Sequence, residues 1–310
     1  MKKNVLIIAG PTAVGKTDLS LKLAQELNGE IISADSVQIY KGMDIGSATP
    51  SDEELNTVKH YLINEVNPKD EYSVALYAKE AREIINDIHS RGKLPIVVGG
   101  TGLYINSLMY EMDFSEQVKD DKLRKKLMDE AEVEGVDYIH NKLEKMDPNA
   151  ANNIHKNNLK RVIRALEINI LTGKKMADFK TDPVKTTEFN PILICLKRNR
   201  KLLYVRINRR VDIMLKNGLI EEVKKLKKNG LNQDYTSMKA IGYKEVLGYL
   251  DGKYDYDLLV TIIKKNTRHF AKRQLTWFRR YNDAIWINID NHNDNFEETY
   301  KKIIKIVNNG

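Results

Sequence analysis

A single cysteine, Cys195, occurs in 310 residues, so no disulfide framework exists and a reducing compartment is expected. Its setting, Pro191-Ile192-Leu193-Ile194-Cys195-Leu196, is an apolar run, which points to a structural thiol rather than a reactive one. His155 has no second His or Cys at ligand spacing, which argues against a zinc site. No apolar run approaches the ~18 residues of a membrane span. Met1-Lys2-Lys3-Asn4 leads straight into an apolar strand without a cleavage-site pattern, so a cytoplasmic protein with no membrane contact is expected. Internal repeats and long low-complexity tracts are missing as well. The Asn-rich stretch 288–295 reads as a loop before a last helix over 296–307.

The chain is rich in positive charge, and that charge is unevenly placed. Residues 197–280 hold 22 Lys or Arg against 8 Asp or Glu, a net of +14, so the rest of the chain carries −6 of the total +8. Single lysines such as Lys224-Lys225 fit a solvated helix face, but a regional excess of this size is the footprint of a protein that follows a nucleic-acid backbone.

Gly10-Pro11-Thr12-Ala13-Val14-Gly15-Lys16-Thr17 fits G-x-x-x-x-G-K-[ST], the phosphate-binding loop. The apolar run Val5–Ala9 reads as a buried strand before it, and Leu19, Leu23, Ala24 and Leu27 recur at helical spacing after it. Loop amides and the helix N-terminus favour an anion, Lys16 adds a full charge, and the Thr17 hydroxyl is placed to hold a hydrated Mg2+ ion. The ligand class is a diphosphate or triphosphate. Ile31-Ile32-Ser33-Ala34 reads as a second strand with Asp35 at its C-terminal end, where open α/β sheets place their chemistry. Three roles stay open for Asp35: magnesium-holding carboxylate, general base, or cap of the next segment.

Three further runs carry a resemblance when read in order with the loop. Asp35-Ser36-Val37-Gln38-Ile39-Tyr40-Lys41-Gly42-Met43-Asp44-Ile45-Gly46 and Gly99-Gly100-Thr101-Gly102-Leu103-Tyr104 are joined by Lys239-Ala240-Ile241-Gly242-Tyr243-Lys244-Glu245. With Ile154-His155-x-Asn157, Arg161-x-x-Arg164-Ala165-Leu166-Glu167 and Ala271-Lys272-Arg273-Gln274-x-Thr276-Trp277-Phe278, they span nearly the whole chain. The sequence resembles the bacterial tRNA dimethylallyltransferases. The zinc finger of eukaryotic members is absent, since Cys195 stands alone.

The resemblance implies transfer of a dimethylallyl group from dimethylallyl diphosphate to N6 of the adenine beside the anticodon, with pyrophosphate released. It makes Asp35 the base, puts Thr101 at the reaction centre, and sets Lys16, Arg206 and the loop residues Gly10 to Thr17 around the diphosphate. Thr101 also reads as an N-cap for a helix from Gly102, and Tyr40 as either core or stacking. Ser36, Val37 and Gln38 would line the adenine pocket. Lys160, Arg161, Val162, Ile163 and Arg164, then Lys239, Ala240, Ile241, Gly242, Tyr243 and Lys244, with Arg124, carry over as segments touching the tRNA anticodon stem-loop. Val162 and Ile163 fit an apolar stripe, so only the charged members are expected to meet RNA. Arg268, Lys272, Arg273, Arg279 and Arg280 extend the patch or belong to a helix packing through Phe270, Leu275, Trp277 and Phe278.

The expected architecture is a monomeric α/β fold, a P-loop NTPase-like parallel sheet flanked by helices. Residues 1–114 and 188–310 form the core and 115–187 a helical insertion. Apolar spacing marks insertion helices at Leu123, Leu127 and Ala131, at Ile139, Leu143 and Met146, and at Leu159, Val162, Ile163, Leu166 and Ile170, the last ending near Gly173. Two rivals remain at this level: a P-loop kinase using Asp35 on magnesium, and a P-loop protein that binds RNA without catalysis.

Overall fold

The computed structural model describes residues 2–112, 120–175, 184–292 and 296–309. Six strands form one sheet: β1 (Asn4–Ala9), β2 (Gly29–Ala34), β3 (His60–Tyr61), β4 (Leu94–Gly99), β5 (Asn190–Lys197) and β6 (Ile285–Asn288). Their order is β3-β2-β4-β1-β5-β6, and every neighbouring pair is parallel. Parallel strands need crossovers, and helices supply them: α1 (Lys16–Glu26) between β1 and β2, α2 (Asp52–Thr57) before β3, and α3 (Val74–Ser90) between β3 and β4. Covered on both faces, the central strands read as unbroken apolar runs, and Val5 to Ala9 are fully buried. Cys195 is buried in β5, and burial pushes its thiol up to about 12, as suits a packing residue.

Register aligns the strand ends that matter. Ala9 pairs with Gly99 and Cys195, and Gly99 pairs with Ala34, so β1, β2 and β4 finish level. Gly99 makes this possible: a Cβ there would stand 2.1 Å from the Ala34 carbonyl oxygen. After β4 comes α4 (Gly102–Met109).

Two compact units divide the chain, Met1–Met109 with Thr186–Gly310 and Tyr110–Lys185. The second holds α5 (Asp121–Glu134), α6 (Val136–Met146), α7 (Pro148–Asn153) and α8 (Leu159–Thr172) around its own core of Leu127, Ile139, Leu143, Val162 and Leu166. A bridge between Tyr110 and Lys185 closes its base. α8 ends on Gly173 in the left-handed conformation. Ile170, expected in the apolar stripe of α8, is 41% exposed; the core reaches only as far as Ile168. The short helix α7 had no periodic signal, being six residues started by the Asp147 cap and Pro148.

The first unit continues with α9 (Arg200–Lys216), α10 (Leu219–Lys228), α11 (Tyr243–Leu250), α12 (Tyr256–Phe278) and α13 (Phe296–Asn309). Leu203 and Ile207 of α9 and Ala271 of α12 join Leu6, Leu19, Leu23 and Ile194 in the main core. Phe278 is buried, while Lys272 and Arg273 on the same helix and Arg279 and Arg280 just past its end face solvent, so both readings of this stretch describe part of it. Tyr40 is 2% exposed and belongs to the core.

Candidate active site

The phosphate loop leaves β1 and enters α1. Gly15, φ 105°, takes a left-handed conformation that turns the backbone into the helix start. Lys16 donates to the carbonyls of Gly10 and Pro11, each at 3.0 Å, which holds its ammonium over the loop. Burial and, after it, the positive charge of Arg210 lower Lys16, Asp35 pulls the other way, and the ammonium is left at about 8. Three side chains brace the loop from outside. Arg198, buried at the end of β5, donates to the Val14 carbonyl (3.1 Å) and to Asp290 (2.8 Å). Gln274 on α12 accepts from the Thr12 amide (2.9 Å) and donates to the Gly100 carbonyl (3.0 Å). Arg206 on α9 donates to the Ala13 carbonyl (3.0 Å). Val14 itself is fully buried, so it serves the loop through its backbone.

Asp35 sits one residue past β2, and its Oδ1 accepts the Val37 amide at 2.9 Å, an Asx turn that fixes the carboxylate at the strand end. Across the aligned strand ends, Thr101 Oγ1 accepts the Ser36 amide (3.0 Å) and donates to Ser36 Oγ (3.3 Å). The Thr101 hydroxyl thus engages Ser36 instead of capping α4. Gln38 accepts from Ser33 Oγ (2.9 Å) and donates to the Ala48 carbonyl (3.2 Å), so its amide is oriented from both ends.

These elements face one cavity of about 750 Å³. Its wall includes Thr12, Ala13, Gly15, Lys16, Thr17, Asp35, Ser36, Val37, Gln38 and Thr101, with Arg206, Arg209 and Arg210 from α9. Lys239, Ala240, Ile241, Gly242 and Lys244 line another side, with Phe270, Arg273 and Gln274 of α12. Tyr243 does not line it. It is fully buried and donates to Glu222 (2.8 Å), whose carboxylate also accepts the amides of Asp44 (2.9 Å), Ile45 (2.8 Å) and Gly46 (3.2 Å). The Tyr243 side chain, expected to meet RNA, is thus turned into the fold, where it helps to pin the loop whose next residues, Ser47 and Ala48, form cavity wall.

Arg210, Gln274 and Glu222 are the site residues that sequence reasoning missed. A signal existed for Arg210, since Arg206 and Arg210 are four apart on one helix and must share a face. Gln274 stands midway between Phe270 and Phe278 on an otherwise packing face, a lone amide that asks for partners.

Comparison with known proteins agrees over most of the chain. A family model described as IPP transferase matches residues 38–281. Over 305 residues the chain is 54% identical to the tRNA dimethylallyltransferase of Clostridioides difficile, covering 98% of this chain and 97% of that one. The chain belongs to the tRNA dimethylallyltransferase family. It is also 52% identical to the tRNA dimethylallyltransferase of Alkaliphilus oremlandii, with the same coverage. Its fold matches the crystal structure of the full-length tRNA isopentenylpyrophosphate transferase from Bacillus halodurans with a TM-score of 0.74 at 43% identity, covering 100% of this chain and 98% of that one. A eukaryotic dimethylallyltransferase described as acting on tRNA matches with a TM-score of 0.76 at 34% identity, covering 92% of this chain and 74% of that one.

Within the compact unit Tyr110–Lys185, the residues that family resemblance assigns to RNA divide by burial. Lys160 and Arg161 are exposed on α8. Val162 (0%) and Ile163 (4%) are core, which removes their side chains from any RNA surface. Arg164 and Arg124 are turned to Glu167, which is fully buried: Arg164 Nη1 lies 2.5 Å from Oε2 and Arg124 Nε 2.8 Å from Oε1. Burial alone would raise the Glu167 carboxyl, but hydrogen bonds from Arg124, the Asp120 amide and Arg164 outweigh it and hold the group below its ordinary value. These two arginines therefore have a structural task inside the family's helical insertion.

Proposed function

We propose that this chain transfers the dimethylallyl group of dimethylallyl diphosphate to N6 of the adenine beside the anticodon of tRNA, releasing pyrophosphate. The observation that carries the reading is that one cavity joins an anion cradle, Lys16 and the loop amides, to a carboxylate and hydroxyl pair, Asp35 and Thr101. The two halves suit the two difficulties of the reaction. The exocyclic amine of adenine is a weak nucleophile because its lone pair is delocalised into the ring. The allylic diphosphate needs its leaving charge stabilised.

Lys16 and the loop amides bind the diphosphate and meet the charge that develops on it, with Arg206 at the rim. Asp35 accepts a hydrogen bond from the amine and takes its proton as the new C–N bond forms. Thr101 and Ser36, tied to each other, hold that edge of the cavity in place. A flipped base would be read by hydrogen bonds to its edge. The donor set fits a magnesium ion, because Thr17 offers a hard oxygen in the same cavity and substrate phosphates complete such sites. Thr17 would hold it, and it would supply further positive charge to the diphosphate.

Lys239 and Lys244 at the cavity, and Lys160 and Arg161 on α8, are exposed cations suited to RNA phosphates. We place the enzyme in the cytoplasm with its tRNA, acting as a monomer. The deciding experiment is mass spectrometry of tRNA nucleosides after incubation with dimethylallyl diphosphate and magnesium. Prenylated adenosine is expected with the wild type and is lost from early time points with Asp35→Asn. ATP consumption with no prenylated nucleoside would instead support the kinase reading.

A further inference from the structure

We propose that Gln274 is a positioning residue for prenyl transfer, whose amide sets the diphosphate cradle in register with the turn that carries Thr101. The inference deepens the prenyl-transfer reading and rests on it. Gln274 is buried on α12 and gives one end of its amide to each half of the site. Its Oε1 accepts the Thr12 amide of the phosphate loop at 2.9 Å, and its Nε2 donates at 3.0 Å to the carbonyl of Gly100, the neighbour of Thr101. The two partners dictate the orientation. Turning the amide over would set N–H against N–H at Thr12 and oxygen against oxygen at Gly100. One planar group therefore ties the loop that follows β1 to the turn that follows β4.

The turn is shaped to receive this amide. A Cβ at Gly100 would stand 2.1 Å from Gln274 Nε2, whereas the Gly10 carbonyl oxygen would be 3.4 Å away, an ordinary contact. Gly100 does not adopt a left-handed conformation, so its missing side chain answers to Gln274 and not to a backbone requirement. Trp277, three residues further along α12, meets Gly102 in the same way: a Cβ there would stand 2.2 Å from the indole Cδ1. Thr101 is thus flanked by two glycines, each covered by a side chain of α12, while its hydroxyl engages Ser36.

In the transfer step the C1–O bond of dimethylallyl diphosphate breaks and its electron pair stays on the diphosphate oxygen. The N6 lone pair forms the C1–N bond, and the N6 proton passes to the Asp35 carboxylate. C1 is carried by the loop after β1, and N6 by residues at the ends of β2 and β4, so the reaction depends on how these backbones are spaced. A misplacement of about 1 Å costs about 10²-fold in rate. Gln274 exchanges no proton; it holds that spacing.

The test compares wild type, Gln274→Met, Gln274→Ala, Gly100→Ala and the double variant Gly100→Ala/Gln274→Ala. Single-turnover transfer is measured at saturating tRNA and dimethylallyl diphosphate, beside calorimetry with inorganic pyrophosphate, filter binding of tRNA, and amide hydrogen exchange over residues 10–14 and 99–103. Gln274→Met, close in length but without the two hydrogen bonds, is expected to slow transfer by about 10–10²-fold while both affinities stay within about threefold. Gly100→Ala displaces the amide from the opposite side and should slow transfer comparably, which keeps the test alive if Gln274→Met does not fold. The double variant should be no slower than Gln274→Ala, because the added methyl then meets empty space. A merely structural role would weaken both affinities along with the rate, and that result overturns the assignment. So does transfer within about threefold of wild type in Gln274→Met and Gly100→Ala, or losses that multiply in the double variant. Exchange should quicken in both segments of Gln274→Met, and wild-type protection in either one refutes the tie. Exchange decides that point even if the wild type prenylates no tRNA, an outcome that would overturn the functional reading instead.

Discussion

Arg164 offers the sharpest separation between an RNA contact and a structural ion pair. In the helical insertion its guanidinium caps one oxygen of Glu167, a carboxylate with no exposure, while Arg124 reaches both oxygens and the Asp120 amide reaches one. Removing Arg164 leaves Oε2 still accepting from Arg124 Nη2 at 2.9 Å. The Arg164 side chain is also 31% exposed, which screens part of its charge. A hydrogen bond to a charged group contributes about 1.5–3 kcal/mol, so with that screening Arg164→Ala should cost about 1–2 kcal/mol. Removing Arg124 as well strands a buried charge, and the double variant should cost about 3–5 kcal/mol.

The assay is amide hydrogen exchange read by mass spectrometry over α5 and α8, because the opening of this unit need not coincide with global unfolding. A cost of 1–2 kcal/mol corresponds to exchange roughly five- to thirtyfold faster. Glu167→Gln on the double Arg124→Ala/Arg164→Ala background should return part of the protection, since the stranded charge is gone. Lys160→Ala and Arg161→Ala serve as controls on the same helix. They should leave exchange unchanged yet make the slope of log K for tRNA against log salt shallower by about 0.7–0.9 for each RNA phosphate that is no longer neutralised. If Arg164→Ala exchanged like wild type and instead flattened the salt slope, the structural assignment of the pair would be wrong. The sign with pH is fixed too. The Glu167 pKa is depressed in the folded state, so its contribution is complete above the ordinary carboxylate range and disappears as pH falls through the folded value.

Three other outcomes test the site. Asp35→Asn keeps the Asx turn available but removes the proton acceptor, so single-turnover transfer should slow by roughly 10²–10⁴ with tRNA affinity little changed, measured by quench-flow and filter binding. Lys16 is held at about 8, so pyrophosphate affinity of the free enzyme, measured by calorimetry, should be constant below that pH and weaken as pH rises through it and the ammonium is lost; a flat profile to pH 9.5 would separate Lys16 from the anion. Glu222→Ala removes a carboxylate that accepts three loop amides and the Tyr243 hydroxyl, which should cost about 2–4 kcal/mol and raise KM for tRNA more than it lowers kcat. Exchange at residues 44–46 reports the first effect, and wild-type protection there would refute the clamp.

Much of the core was legible because its signals are local. Val5 to Ala9 and Ile31 to Ala34 read as strands since both faces of the sheet are covered, and the loop motif between them carries its own geometry. The edge strands were not: β3 is two residues, His60–Tyr61, and β6 is four, too short for any period to register. Asp35 could be singled out from its place at a strand end, but the tie between its neighbour Ser36 and Thr101 could not be read. That pairing depends on β2 and β4 finishing level, with Gly99 against the Ala34 carbonyl.

The harder boundary runs through charged residues, where the same letter serves opposite ends. Arg161 and Arg164 stand in one basic run, and from composition each looks like an RNA contact. What separates them is Glu167, which α8 buries between Leu166 and Ile168 and which must then find cations within reach. An Arg three residues before a Glu amid buried neighbours is therefore better read as its partner. Arg206 and Arg210 pose the converse case, because both lie on one face of α9 yet only the second has its Nε buried without a partner. A cation whose charge is answered within the fold stabilises the fold. One that lines a cavity with its Nε buried and unpartnered, as Arg210 does, keeps a donor for an anionic ligand instead.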